Sequence, residues 1–263
     1  MPMIAKVLRY VLLDVIRNRW VVGYALFFLL VTDALVRFGG SGGHALLGLL
    51  NVVVLLIPLV TLVFGTIYWH GAREFNELLL TQPIGRTTLF HGLFAGLVFP
   101  LSLAFALGVS LPLLLHRVLD GQTLPLLAMT LVTGVALTGV FGALAVLIGG
   151  VVTDRLKGLG IALGVWLFLT VVYDGFVLWV AVAYQDAPIE KLLLALTFAN
   201  PVDLARVLLI VHFDISAIMG YTGAIVQKML GGAVGVLAAA TALVAWTIVP
   251  GLVALRVFRR RDF

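Results

Sequence analysis

The chain contains no cysteine and carries little charge. None of its 263 residues is Cys, and only 11% are Asp, Glu, Lys or Arg. The missing thiols exclude disulfides, thiolate metal sites and thiol catalysis. The low charge excludes an ordinary soluble domain, in which roughly 25% of residues are charged.

The P-loop, a common nucleotide-binding motif, is also missing. No Gly-Lys dipeptide occurs anywhere, so the chain has no P-loop. The five histidines are scattered, and none lies three or four residues from another, which makes a poor set of metal ligands. We expect no catalytic residue, metal or cofactor in this chain. If ATP drives the protein, a different chain binds the ATP.

Apolar residues dominate the composition. They make up 62% of the chain, and the mean hydropathy is +1.18. A helix that crosses a bilayer needs about 20 apolar residues, with a range of roughly 17–25. Six runs meet that length: Trp20–Val36, Ala45–Trp69, Thr87–Leu115, Leu124–Val152, Gly158–Tyr184 and Met229–Val257. The sequence therefore predicts an all-α polytopic membrane protein with six transmembrane helices, forming a single domain over residues 1–263.

The basic residues predict the orientation of these helices. They stand at the ends of the apolar runs, which is typical of membrane topology and not of a nucleic-acid surface. With the N-terminus inside, 12 of the 17 lysines and arginines fall in cytoplasmic segments. Because cytoplasmic loops are enriched in Lys and Arg, we expect both termini in the cytoplasm.

Residues 1–19 precede the first apolar run and form an amphipathic pattern. At 100° per residue, Lys6, Arg9, Asp14 and Arg17 share one face, and apolar residues occupy the other. This pattern predicts a helix lying in the membrane interface, with its basic side toward anionic lipid headgroups.

The first predicted cytoplasmic loop, residues 70–86, mixes charged residues with the run Leu78, Leu79 and Leu80. It ends with Pro83, Gly85 and Arg86. An exposed amphipathic helix needs a cover for its leucines. From spacing alone, these leucines could equally well pack against a partner protein or against the helical bundle.

Two carboxylates fall within apolar runs. Asp174 lies near the middle of the fifth run, and Asp33 lies toward the outer end of the first. A charge at mid-bilayer costs about 2.5–3.5 kcal/mol on insertion scales, so such a group usually faces a cavity or a partner. For Asp174, a protonated form, a polar partner and a position along a pathway all remain open. Asp33 is close enough to the interface to reach water.

The predicted outer segment, residues 185–228, is long and partly apolar. Within it, Asn200-Pro201-Val202-Asp203 reads as a helix start, with Asn200 as the cap and Pro201 in the first turn. Short interfacial or re-entrant helices are expected to follow. No internal repeat and no helix broken at mid-membrane is recognisable in the sequence.

The loop motif carries a family resemblance. Residues 77–86 read Glu-Leu-Leu-Leu-Thr-Gln-Pro-Ile-Gly-Arg, which resembles the stretch after the second span of ABC-2 type permeases. That resemblance implies a coupling helix docked on a cytoplasmic ABC ATPase that binds ATP and Mg²⁺. It assigns the docking to Glu74, Glu77, Leu78, Leu79, Leu80, Pro83 and Arg86. One departure is Phe75-Asn76, where the family usually has Gly-Thr.

Further segments resemble one branch of that family, the NosY-type permeases, which serve maturation of the copper sites of nitrous-oxide reductase. These segments are Arg17-Asn18-Arg19-Trp20, Leu163-Gly164-Val165-Trp166 leading to Asp174, and the 200–203 motif with Arg206. The resemblance implies a homodimer in the bacterial cytoplasmic (inner) membrane. It also implies a periplasmic accessory protein on the outer segment, which includes Asn200, Pro201, Asp203 and Arg206.

Three other functions compete with this one. The chain could be an ABC-2 exporter of a lipid, peptide or drug, without any link to copper. It could be a secondary transporter driven by protons through Asp174, although such folds often show repeats and broken helices. It could also be a membrane anchor for a periplasmic protein, but an anchor has no need of a coupling loop.

Overall fold

A computed structural model describes residues 19–39, 41–72, 85–184, 190–212 and 232–260. These ranges contain nine α-helices and one π-helical turn. The helices are α1 (Arg19–Gly39), α2 (Gly42–Gly71), α3 (Arg86–Leu115), α4 (Thr123–Val151), α5 (Arg155–Leu167), α6 (Tyr173–Ala183), α7 (Glu190–Phe198), α8 (Pro201–His212) and α9 (Ala233–Arg260). The turn Phe168–Val172, here called the π segment, joins α5 to α6.

Six helical stretches are long and apolar enough to cross a membrane. They are α1, α2, α3, α4, the continuous stretch Arg155–Ala183 that includes the π segment, and α9; we number them spans 1 to 6. The sequence-based prediction of an all-α protein with six spans is therefore confirmed. The predicted interfacial helix, residues 1–19, lies almost entirely outside the described residues.

Side-chain caps explain where several spans begin. The Ser41 hydroxyl accepts a hydrogen bond from the His44 backbone N–H at 3.3 Å, at the start of α2. Asp120 accepts from the backbone N–H groups of Gln122 and Thr123 at 3.1 and 2.6 Å, just before α4. Each cap satisfies backbone donors that have no partner within the helix.

The spans have two distinguishable ends. The basic end carries Arg19, Arg86, Arg155 and Arg260, each at the first or last residue of its helix. The far end carries the α1–α2 and α3–α4 connections, where Asp33 meets His116 across 2.7 Å. The positive charge of the described helices is therefore concentrated at one end of the bundle.

Glycines allow the spans to approach closely. A Cβ atom on Gly65 of α2 would lie 2.7 Å from the Ala145 Cβ of α4. A Cβ atom on Gly108 of α3 would lie 2.7 Å from the Phe28 Cβ of α1 and 2.9 Å from a backbone carbonyl oxygen of the same helix. Within a bilayer the hydrophobic effect does not drive helices together, because lipid tails are as apolar as the helices. Close packing at small residues therefore holds membrane helices together.

The spans differ in how much of them the bundle covers. The bundle buries 67% of the most apolar stretch of span 4, but only 17% of the corresponding stretches of spans 5 and 6. Trp166 ties span 5 to span 2, because its indole N–H donates to the Leu55 carbonyl at 3.0 Å. Spans 2 to 4 therefore form the core, and span 5 lies at its side.

A bent helix pair follows span 5. The axes of α7 and α8 turn by 111° at Ala199 and Asn200. Helix α8 packs against α2, α4 and α9, and most of its residues are buried. We call α7 and α8 the hairpin. Together they pass the apolar length test for one broken span or a re-entrant loop.

Candidate functional site

The π segment leaves one backbone carbonyl of span 5 free for another partner. In an α-helix the Tyr173 N–H would bond to the Leu169 carbonyl, four residues back. Here it bonds to the Phe168 carbonyl, five residues back. The freed Leu169 carbonyl accepts a hydrogen bond from the Asn200 side-chain amide at 2.8 Å. Span 5 is therefore shaped to receive the hairpin.

Asn200 is fully buried and uses both ends of its side chain. Its amide nitrogen donates to Leu169, and its Oδ1 accepts from the Val202 backbone N–H at 3.0 Å. The predicted role of Asn200 as the cap of the following helix is confirmed, and Pro201 begins that helix as expected. The same residue thus caps α8 and attaches it to span 5.

An ion-pair cluster adds a second attachment between α8 and span 5. Arg206 Nη1 lies 2.8 Å from Asp174 Oδ2 and 3.2 Å from Asp203 Oδ1. The Asp174 and Arg206 side chains keep 34% and 26% of their surface exposed, and Asp203 keeps 13%. One guanidinium therefore faces two carboxylates, and of the possibilities left open for Asp174 the structure shows a polar partner.

Two further hydrogen bonds satisfy carbonyls at the end of α7. The Tyr173 hydroxyl donates to the Leu196 carbonyl at 2.7 Å, and the Trp246 indole N–H donates to the Phe198 carbonyl at 3.2 Å. The last carbonyls of a helix need such donors, since the helix itself supplies none. We call the set Leu169, Tyr173, Asp174, Asn200, Arg206 and Trp246 the hairpin junction.

The hairpin junction lies at mid-depth of the bundle. Leu169 is the central residue of span 5, and Trp246 is close to the middle of span 6. Asn200 and Phe198 contact these two residues, so the tip of the hairpin reaches the middle of the spans. The described helical pair between spans 5 and 6 therefore extends to the middle of the bundle.

This depth bears on two sequence-based expectations. We predicted that Asn200, Pro201, Asp203 and Arg206 belong to an outer segment that contacts a partner, but Asn200 and Pro201 are buried and the other two are mostly covered. In the described part of the chain these residues hold the hairpin within the bundle, and their contact with a partner protein stays a prediction. We also recognised no broken helix, whereas the π segment and the hairpin both interrupt regular helices.

Asp33 occupies a different place, at the far end of the bundle. Its carboxylate accepts from Arg37 and from His116 Nε2, both at 2.7 Å. The pair with His116 joins α1 to the end of α3. As expected, Asp33 is near the surface, and it is paired there instead of merely hydrated.

Only the two ends of the predicted coupling segment, residues 70–86, lie within the described residues. The assigned residues Glu74, Glu77, Leu78, Leu79, Leu80 and Pro83 lie outside them. Arg86 begins α3, and its Nη1 donates to the Arg259 carbonyl at 2.7 Å. At the other end, His70 bonds to the Val152 carbonyl at 3.0 Å. The segment therefore leaves and re-enters the bundle at the basic end.

An apolar groove of about 500 Å³ opens beside the hairpin junction. Spans 4, 5 and 6 form its walls, with Leu144, Ile161, Gly164, Val165, Phe168, Leu169 and Trp246 lining it. The groove shares Leu169 and Trp246 with the hairpin junction. Its lining suits a hydrocarbon group and offers no charged side chain.

Comparison with known proteins identifies the family. Residues 50–263 match the family described as ABC-2 family transporter protein. The chain belongs to the ABC-2 transporter family. Two relatives align with this chain, and each alignment covers 99% of this chain and 99% of the relative. Both are named "Probable ABC transporter permease protein NosY", from Stutzerimonas stutzeri and Pseudomonas aeruginosa, and each is 28% identical to this chain.

Membership in the ABC-2 family defines the general role of the chain. It is an integral membrane protein and the permease subunit of an ABC transporter. Permease subunits of ABC transporters are generally not enzymes themselves, and the family implies association with an ABC ATPase. Sequence reasoning missed the contributions of Leu169, Tyr173 and Trp246 to the hairpin junction, because nothing in their local sequence indicates a partner in the hairpin.

Proposed function

We propose that this ABC-2 permease couples ATP hydrolysis by a separate cytoplasmic ATPase to a change at the far end of its membrane bundle, in service of nitrous-oxide reductase copper-centre assembly. The observation that carries the proposal is the attachment of the hairpin to the middle of span 5 through Asn200 and Arg206. A displacement of span 5 has to move the hairpin as well. The copper branch rests on the likeness to NosY-named permeases and on the 200–203 motif.

In this mechanism the basic end of the bundle faces the cytoplasm, and the membrane is the bacterial inner membrane. The ATPase, which binds ATP and Mg²⁺, contacts Glu74, Glu77, the leucines at 78–80, Pro83 and Arg86. Closure of two ATPase subunits displaces the coupling segment. Helices then carry the displacement to the hairpin, because a packed helix moves as a rigid lever between two discrete arrangements.

We further propose that two copies of the chain form the transporter. Asp174 and Arg206 keep part of their surface exposed near mid-depth of span 5, where lipid cannot solvate charge. A second copy of the chain that packs over this side of span 5 and encloses water there would keep the two charged side chains away from lipid, which removes the free-energy cost of exposing them to it. The periplasmic accessory protein then docks at the far end, on parts of residues 185–228 outside the buried hairpin.

The first test is co-purification from the native membrane in mild detergent, with the bound proteins identified by mass spectrometry. The proposal expects an ABC ATPase in the wild-type sample and its loss with Glu77→Arg, while the amount of inserted permease is unchanged. Asp262→Arg makes the same charge change near the C-terminus and is the matched control. Normal ATPase binding and ATP turnover by Glu77→Arg would contradict the coupling role.

The second test addresses the copper branch. Nitrous-oxide reductase is isolated from a host that lacks this permease and carries either the wild-type gene or the Glu77→Arg variant. We expect full copper content only with the wild-type gene. Equal copper content in both strains would overturn the copper role and leave the permease role in place.

The apolar groove supports a second candidate function, export of a lipid or another amphiphile. A groove of about 500 Å³ without charged lining residues accommodates a hydrocarbon chain. Gly164→Phe fills this groove and is expected to stop such export. If the variant leaves the copper content of the reductase normal but abolishes release of a labelled lipid from vesicles, the exporter function is the correct one.

A further inference from the structure

His70, the first residue of the coupling segment, lies within hydrogen-bond distance of two backbone carbonyls. Its Nδ1 lies 2.8 Å from the Thr66 carbonyl oxygen, one turn back in α2, and its Nε2 lies 3.0 Å from the Val152 carbonyl oxygen. Carbonyl oxygens only accept hydrogen bonds, so whichever ring nitrogen carries a hydrogen can donate to the carbonyl that it faces. The second bond leaves α2 and joins the loop that leads into span 5.

The ring also lies directly against the first turn of span 5. A Cβ atom on Gly158 would lie 2.8 Å from His70 Cε1, so only glycine leaves room for the ring there. Asp154 caps the same turn by accepting from the Lys157 backbone N–H at 3.0 Å. That hydrogen bond is the main cause of the lowered pKa of Asp154, and the charges of Lys157 and His70 lower it further.

His91 offers a natural comparison at the other side of the coupling segment. Its Nδ1 donates to the Thr87 carbonyl at 2.7 Å, one turn back in α3, and its ring contacts the neighbouring Phe90. Both contacts stay within α3. The two histidines therefore share the bond to their own helix, and they differ in the bond that His70 makes to another element.

His70 lies between the rest of the coupling segment and span 5, so its bond to the Val152 carbonyl connects the two. Residues 73–84 of the coupling segment follow within three positions, and span 5 with its π segment and Asp174 begins beside the ring. We propose that His70 is the positioning residue that transmits displacement of the coupling segment to span 5. This inference rests on the proposed coupling function and names the contact through which coupling proceeds.

A labelled cysteine can measure the transmission, because the natural chain has none. Val182, near the far end of span 5, is 61% exposed and suits a spin label after Val182→Cys. The permease is assembled with its ATPase in lipid nanodiscs, and label mobility is compared with and without a non-hydrolysable ATP analogue. We expect His70→Ala to reduce the nucleotide response at least about fivefold, while His91→Ala retains it.

Two more variants separate transmission from a merely structural role. His70→Gln keeps a donor toward Val152 and is expected to restore part of the response. Gly158→Ala keeps the histidine but displaces its ring, and it should lose the response as His70→Ala does. If His70→Ala fails to assemble, these two variants decide the question, and wild-type responses in both overturn the inference.

The two proposals fail in different ways. If the wild-type protein binds no ATPase, or shows no nucleotide response at position 182, the proposed coupling function fails. If the wild-type protein responds and His70→Ala responds equally, only the role of His70 is overturned. ATPase binding is measured on every variant, because loss of His70 should leave that binding unchanged.

Discussion

Arg206 and Asp174 are joined across 2.8 Å although 32 positions separate them in the chain. Their pairing connects the hairpin to span 5 near the middle of the bundle. A charge left without its partner in such a place is costly, whereas loss of both charges removes much of that cost. This difference makes the pair suitable for a double-mutant cycle.

We expect Arg206→Ala to lower the melting temperature more than the double variant Arg206→Ala with Asp174→Asn. The coupling free energy between the two sites should be about 0.5–3 kcal/mol, the range seen for residues in one ion-pair network. Thermal unfolding in detergent measures it. Asp33→Asn, which alters a different ion pair at the far end, is the control and should show no coupling with Arg206→Ala.

Asn200 should be among the most sensitive polar residues of the chain. Asn200→Ala removes the bond to the Leu169 carbonyl and the cap of α8 together, and it leaves a buried carbonyl without a donor. An unsatisfied buried polar group costs about 1–3 kcal/mol.

Asn200→Asp separates the two contributions. The aspartate retains an oxygen that caps α8, but it has no donor for the Leu169 carbonyl. We expect its loss of stability in thermal unfolding to equal or exceed that of Asn200→Ala, because a carboxylate then faces a carbonyl. A stability near that of the wild-type protein would show that the contact with Leu169 is unimportant.

The contact between spans 1 and 3 should not tolerate an added methyl group. In Gly108→Ala the new Cβ meets Phe28 and a backbone carbonyl oxygen of α1, which cannot move aside alone. Overpacking of this kind typically costs about 1–3 kcal/mol. Gly23→Ala on α1 is the matched control, because a Cβ there has open space. Equal melting temperatures for the two variants would contradict the packing of spans 1 and 3.

The Asp154 cap should stabilise the bundle in a pH-dependent way. Its pKa is lowered in the folded protein, chiefly by the hydrogen bond from the Lys157 backbone N–H. When folding lowers the pKa of a carboxyl group, the ionised group stabilises the folded protein at pH values above its pKa in the unfolded chain. This stabilisation is lost as the pH falls through the pKa that the group has in the folded protein. The melting temperature of Asp154→Ala should therefore lie below that of the wild-type protein at pH 6.

The difference between Asp154→Ala and the wild-type protein should shrink below about pH 4, the ordinary range for an aspartate. Asp154→Asn retains a capping oxygen without the charge and should resemble the wild-type protein more closely than the alanine variant does. A difference that persists unchanged at pH 3 would show that the charge of Asp154 contributes nothing.

The spans could be predicted from sequence because each is specified by its own residues. The run of apolar residues between charged ends is a local property, and so is the cap formed by Asn200 before Pro201. The contacts of the hairpin junction are different. Asp174 and Arg206 are both visible as charges in an apolar chain, but no local pattern indicates that they meet.

The π segment was unpredictable for the same reason. It needs an external donor for the Leu169 carbonyl, and that donor, Asn200, comes 31 residues later. Residues 168–172 alone read as ordinary apolar helix. The hairpin likewise contacts Trp246, which belongs to a span further along the chain.

The π segment also makes span 5 sensitive to its length. The π segment contains one residue more than a regular α-helix has over the same rise. This extra residue rotates one half of the span relative to the other by about 100°, the angle per residue of an α-helix. Deleting a single residue between Phe168 and Val172 would restore a regular helix and turn Asp174 away from Arg206. Substitutions in this stretch preserve that alignment, whereas a one-residue deletion removes it without altering any of the side chains that meet there.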